Sequence, residues 1–177
     1  PVGYSKFIRF LGHFSHSANL LTTIQFFATQ LGFLFFFLTF RIIFKPTNWA
    51  SNIIFIFLII NPINVFNSNH VLSDPLYLGV SMVWISQVLW IIFRFKPYMI
   101  ITQAILLFVL FDLRYNALYF PIITAFAFIV SGGKIIWKIS GLGLSIIVIA
   151  VLMEYTSLEM EKMAGVRQYA YSNEFEG

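Results

Sequence analysis

The 177-residue sequence contains no cysteine, which removes disulfide frameworks, Cys-ligated zinc and thiol nucleophiles and leaves the redox compartment undetermined. Charge is also scarce: Asp, Glu, Lys and Arg together make up 10% of the chain, against about 25% in soluble domains. The 11 Lys and Arg outnumber the 7 acids, but they stand singly between apolar runs. A nucleic-acid footprint needs basic residues clustered on one face, so no nucleic-acid partner is expected. The chain has no Asn-x-Ser/Thr sequon. What fills it is apolar: 59% of residues are hydrophobic, 19% are aromatic, and 22 are phenylalanine, with a mean hydropathy of +0.85. This composition excludes a soluble globular domain and predicts an all-α, polytopic integral membrane helix bundle.

A membrane-crossing helix needs about 20 apolar residues. Six stretches approach that length: Leu20 to Phe40, Trp49 to Phe66, Pro75 to Phe93, Pro97 to Phe111, Tyr115 to Gly133 and Ile139 to Met153. The fourth and sixth are short and borrow length from snorkelling Lys96 and Lys138. The second, interrupted by Asn61, Pro62 and Asn64, also fits a re-entrant segment.

Six crossings sort the charges into two sets of loops. One set holds Arg41, Lys45, Arg94, Lys96, Lys134 and Lys138 with no acid. The other holds Lys6, Arg9, Arg114, Lys162 and Arg167 together with Asp74, Asp112, Glu154, Glu159, Glu161, Glu174 and Glu176. Cations accumulate in short cytoplasmic loops, so the first set is expected inside and both ends of the chain outside. Residues 1–19 form an outer juxtamembrane segment. In it Phe7, Ile8, Phe10, Leu11 and Phe14 share one side of an interfacial helix and Lys6, Arg9 and His13 point away. Residues 20–153 form the bundle, and residues 154–177, polar and mixed, read as the start of an outer-face soluble extension. Because the chain opens on Pro1 and its first methionine is Met82, it is expected to be an internal piece of a longer protein.

Few residues carry chemistry. The loop from Asn61 to Asp74 is dense in amide, hydroxyl and imidazole groups and includes His70. Asp74 followed by Pro75 reads as a helix N-cap with proline at the first helical position, and substrate contact is the competing role. At the next outer turn stand Asp112, Arg114, Tyr115 and Asn116. The planar fork of Arg114 suits a lipid phosphate, and pairing with Asp74 or Glu154, or snorkelling to headgroups, is the alternative. His13, His16 and His70 lack a carboxylate at ligand spacing, so no metal site is expected. Gly132, Gly133 and Lys134 lack the remainder of a phosphate loop, and Gly141 and Gly143 read as small residues for helix packing. Thr22, Thr23, Gln25, Thr29 and Gln30 fall mainly on one side of the first span and are expected to face the bundle or a wet cavity rather than lipid.

The order of PVGYSKFIRFLGHFSHS before a span, VLSDPLY opening a later one and LRYNALYFPII at the following outer turn resembles the GT-C membrane glycosyltransferases. The likeness is to the polyprenyl-phosphate-sugar-dependent protein mannosyltransferases and lipid A aminoarabinose transferases. The resemblance implies a sugar donor on polyprenyl phosphate, a site on the extracytoplasmic face of a bacterial cytoplasmic membrane, and a catalytic acid in the first outer loop. That acid would lie upstream of Pro1, with Gly3 to Ser17 the late part of the loop. The resemblance places Arg114, Tyr115 and Asn116 near the donor phosphate and matches Asp74 to an outer-loop acid opening a later span; Asp74 and His70 are the expected outer-loop substrate contacts. The competing functions are a transporter or flippase-like protein and a non-catalytic membrane scaffold.

Overall fold

The computed structural model describes residues 4, 7–9, 13, 18–62, 73–114, 117 and 119–175, with side chains to Tyr155 and at Leu158. The fold is all-helical, and its described helices are α1 (Ala18–Phe44), α2 (Asn48–Ile59), α3 (Asp74–Arg94), α4 (Met99–Leu113), α5 (Phe120–Val130) and α6 (Ile135–Phe175).

Local chemistry sets the boundaries. The α1 helix stops where Lys45 takes φ 46° and donates its N–H to the Arg41 carbonyl at 3.1 Å. A left-handed residue followed by Pro46 cannot continue a helix. Two residues later Thr47 caps α2, its hydroxyl accepting from the Ala50 N–H. Prolines at the first helical positions open α3 and α5, where the missing N–H costs nothing. The α5 helix ends at Ser131, whose hydroxyl donates to the Phe128 carbonyl at 2.8 Å.

Side-chain pairings fix the direction of every helix. Thr29 of α1 donates to the Pro75 carbonyl, Trp90 donates to Thr39, and Phe44 meets Phe93, so α1 and α3 run parallel. In sequence between them, α2 runs back along α1, with Phe55 against Phe37 and the Ile59 carbonyl beside Gln30. Helix α4 is antiparallel to α3, since Gln87 donates to the Met99 carbonyl at one end and Asp74 meets Arg114 at the other. Tyr77 with Phe120 and Phe95 with Phe128 set α5 parallel to α3. Lys138 donates to the Ile129 carbonyl and Gly141 packs on Phe128, so α6 returns against α5. The six helices therefore alternate in direction. Arg41, Lys45, Arg94, Lys96, Lys134 and Lys138 collect at one end, and Asp74, Asp112, Arg114 and Glu154 at the other.

Among the described residues, three helices are long and apolar enough to cross a membrane: Asn19–Phe44, Asp74–Arg94 and Ile135–Tyr155. With these the chain has the build of an integral membrane protein. The remaining three have 12, 15 and 11 residues. At about 1.5 Å per residue they reach roughly 16 to 22 Å, short of the about 30 Å hydrocarbon core. The α2 and α5 helices are shorter than the expected second and fifth stretches. The α2 helix ends at Ile59, ahead of Asn61 and Pro62, and α5 starts at Phe120 because Pro121 fixes its first turn. The sixth stretch is longer than expected in both directions, starting at Ile135 and running unbroken for 41 residues to Phe175. The boundary expected at 153/154 is therefore a change of polarity within one helix. Of the interfacial helix, Tyr4 and Phe7–Arg9 are helical; Phe7 is half-buried, but Ile8, expected on the apolar side, is exposed like Arg9. Phe10, Leu11 and Phe14 lie outside the described residues.

The bundle closes around Trp84, Val88, Ile91, Leu107, Leu110 and Phe128, while Phe27, Leu31, Ile105, Phe126 and Ile146 are exposed on its flanks. The tightest seam joins α1 to α3. A Cβ on Gly32 would collide with the Gly79 carbonyl, and one on Gly79 would lie 2.9 Å from the Thr29 Cα. Such close approach replaces area burial as the packing force between helices in lipid. As expected, Gln25 and Thr29 are buried on this side of α1, whereas Thr23 is exposed and bonds the Asn19 carbonyl. Gly141 serves packing, its Cβ position lying 2.6 Å from the Phe128 ring, but Gly143 has open space around it.

Candidate functional site

At the acidic end, α3 begins and α4 finishes side by side. Asp74 is the first residue of α3, and Ser73 occupies the N-cap without a side-chain capping bond. This corrects the reading of Asp74 as the cap: the helix starts one residue early, and the carboxylate is engaged elsewhere. Asp74 Oδ1 lies 2.8 Å from Arg114 Nη1, with the Arg114 and Asp74 side chains 41% and 45% exposed. Arg114 leaves α4 in extended geometry, φ −157° and ψ 127°, its N–H bonded to the Leu110 carbonyl. Of the alternatives open in the sequence, Asp74 and not Glu154 is the partner. An ion pair this exposed contributes about 0 to 1 kcal/mol, so its consequence is positional.

The pair rests on an aromatic and polar ladder that descends into the core. The Arg114 guanidinium lies 5.9 Å from the Tyr77 ring centroid, within cation–π reach. Tyr77 stacks on Phe120 at 6.0 Å, and Phe120 stacks on Trp84 at 4.2 Å and 11°. Below them the Thr124 hydroxyl accepts from Trp84 Nε1 at 3.2 Å and from Gln103 Nε2 at 2.9 Å. The start of α3 is held from the other side by Thr29, whose hydroxyl donates toward the Pro75 and Gln25 carbonyls, each at 2.8 Å. Three helices thus fix where Asp74 stands. Nearby, Gln25 Nε2 donates to the Tyr4 phenol at 2.7 Å. Burial raises that phenol's pKa, partly offset by the Gln25 bond, so Tyr4 stays protonated at physiological pH.

Among the expected site residues, the structure brings Asp74 and Arg114 together. His70, Tyr115 and Asn116 lie outside the described residues. Asp112 is half-buried and forms no ion pair among the described residues, as its spacing from Arg114 predicts. No group of three or more His, Cys, Asp or Glu that could hold a metal occurs among the described residues. Sequence reasoning missed Tyr77, Phe120, Trp84, Thr124 and Gln103. The available signal was the presence of polar atoms on otherwise apolar helices, which must find partners when buried.

Comparison with models of known families, with curated proteins and with solved structures finds no match.

Proposed function

We propose that the chain is the membrane-embedded part of a glycosyltransferase that moves a sugar from a polyprenyl-phosphate donor to an acceptor on the extracytoplasmic side. One observation carries this reading. The acid of VLSDPLY and the arginine of LRYNALYFPII, on different helices, meet 2.8 Å apart in a half-exposed position at one end of the bundle. A guanidinium has five N–H donors, and a single contact to Asp74 orients the fork while leaving donors for phosphate oxygens. In the transfer, the acceptor hydroxyl or amine forms a bond to the anomeric carbon, and the carbon–oxygen bond to phosphate breaks. The polyprenyl phosphate departs with the electron pair, and the acceptor's proton goes to the general base that the resemblance places upstream of Pro1. Arg114 contributes by meeting the charge that develops on the leaving phosphate. All six cations of the opposite end then face the cytoplasm, in keeping with the positive-inside bias. On this reading all six helices are crossings, the three short ones in a locally thinned or partly protein-lined region.

The transporter reading asks for ionisable groups near the membrane midplane. In the three candidate spans, Asn19–Phe44, Asp74–Arg94 and Ile135–Tyr155, the charges lie at or near the ends, at Arg41, Asp74, Arg94, Lys138 and Glu154, which favours a site at one face. The test is binding of a polyprenyl-phosphate-sugar analogue to the detergent-purified protein. Arg114→Lys keeps the charge and the Asp74 partner but loses the fork, and should weaken binding roughly ten- to a hundredfold. Lys6→Arg should leave it unchanged. Undiminished affinity in Arg114→Lys would overturn the phosphate role and leave the transporter and scaffold readings.

A further inference from the structure

The opposite, cationic end carries a groove of about 410 Å³ between α1, α3 and the turn into α4, lined by Phe35, Gln87, Trp90, Lys96, Tyr98 and Thr102. Its inner polar groups are already committed. Gln87 Nε2 donates to the Met99 carbonyl and to the Thr102 hydroxyl, and Trp90 Nε1 donates to Thr39. These bonds fix the walls and leave the Lys96 ammonium and the Tyr98 hydroxyl at the mouth. A second cation is close: the Arg94 guanidinium lies 5.6 Å from the Trp90 ring centroid. Neither Lys96 nor Arg94 forms an ion pair among the described residues, and no acid belongs to this end in the sequence. Sideways, the groove opens at Phe35 onto the α1 flank, where Leu38 and Ile42 are also exposed and follow at helical spacing on the same face.

Two unpaired cations over an aromatic wall, continuous with an apolar flank, match an amphiphile with an anionic head. We infer that this groove holds the headgroup of one anionic phospholipid, its phosphate against Lys96 and Arg94 and its acyl chains along Phe35, Leu38 and Ile42. The volume lies toward the low end of the about 300 to 1,000 Å³ of ligand pockets, enough for a headgroup and too small for a whole lipid. Basic pockets between membrane helices on the cytoplasmic side recognise anionic headgroups by the same chemistry. A zwitterionic lipid would bring its own ammonium against Lys96 and Arg94, so the site selects by charge. The sugar-transfer proposal concerns the other end, and neither depends on the other.

The test counts lipids retained by the detergent-purified chain in native mass spectrometry, with phosphatidylglycerol and phosphatidylcholine of equal chain length offered in competition. One phosphatidylglycerol per chain should be retained in preference. Lys96→Gln should reduce that preference by about fivefold, the effect of one surface cation. Thr102→Trp, which fills the groove and leaves every charge in place, should abolish retention. Arg41→Gln, at the same end but outside the lining, should leave it unchanged. Equal retention of the two lipids, or an equal loss from Lys96→Gln and Arg41→Gln, would overturn the site in favour of a diffuse surface potential. Retention that survives Thr102→Trp would likewise place the lipid elsewhere and overturn the inference.

Discussion

Gly32 and Gly79 face one another across the α1–α3 seam with no room for a side-chain carbon on either. The contact is backbone against backbone, so neither partner can yield by changing rotamer. It also sets the register that brings Thr29 to the Pro75 carbonyl and so fixes the start of α3, where Asp74 stands. Gly79→Ala should therefore destabilise the detergent-solubilised protein by about 1 to 3 kcal/mol, the usual cost of overpacking. Gly143→Ala, at a glycine with open space around it, should be neutral or gain a few tenths of a kcal/mol from helix propensity. Thermal denaturation of the two variants checks the contrast, and equal behaviour would show that the seam relaxes.

The Thr124 hydroxyl is the acceptor for two buried donors, Trp84 Nε1 and Gln103 Nε2. Thr124→Val keeps the shape and removes the acceptor, leaving both donors without a partner. Each buried donor left unsatisfied costs about 1 to 3 kcal/mol, so the variant should lose about 2 kcal/mol or more. Thr124→Ser should restore most of the loss. Because Trp84 stacks on Phe120 and Phe120 on Tyr77, Thr124→Val should also shift the indole emission of Trp84. A stable variant with an unchanged spectrum would show that the ladder is not coupled through Thr124.

Much of this was legible in the sequence. Charge placement foretold the two ends, because Lys and Arg at one set of turns and acids at the other demand alternating helices. The pairing of Asp74 with Arg114 stood among the readings, since a carboxylate and a guanidinium at neighbouring outer turns have few other partners. The ladder was not legible: a Trp, a Thr and a Gln on three apolar helices do not declare which faces meet until the helices are packed. Helix ends were also hidden from hydropathy, which sees Tyr115 to Gly133 as one apolar run although Pro121 and Ser131 confine α5 to 11 residues. The polarity change after Met153 suggested a new unit. Yet Glu, Leu, Met and Lys are strong helix formers, and the helix continues through them.

The alternation of helices predicts sidedness that single cysteines can read, and the chain has no native cysteine to interfere. Cysteines replacing Lys45, Lys96 and Lys134 should be shielded from a membrane-impermeant thiol reagent in intact cells. Cysteines replacing His70, Asn116 and Tyr169 should react. Labelling at Lys96 without permeabilisation would mean that the basic end does not face the cytoplasm as proposed.

The Asp74–Arg114 pair allows a test in which a structural role and a ligand role move in opposite directions. If the pair serves only to join the start of α3 to the end of α4, exchanging the two residues preserves the attraction, and Asp74→Arg combined with Arg114→Asp should resemble the parent protein in every respect. If Arg114 faces donor phosphate, the exchange puts a carboxylate where the phosphate must sit and a guanidinium one helix away. Stability should then stay within about 1 kcal/mol of the parent, because a half-exposed pair contributes little in either orientation. Binding of a polyprenyl-phosphate-sugar analogue should fall at least as far as in Arg114→Lys. Each single change alone leaves two like charges at the site, arginines in one variant and carboxylates in the other, so both singles should be less stable than the exchange. Full binding by the exchanged protein would assign the pair to architecture and remove phosphate recognition from this end of the bundle.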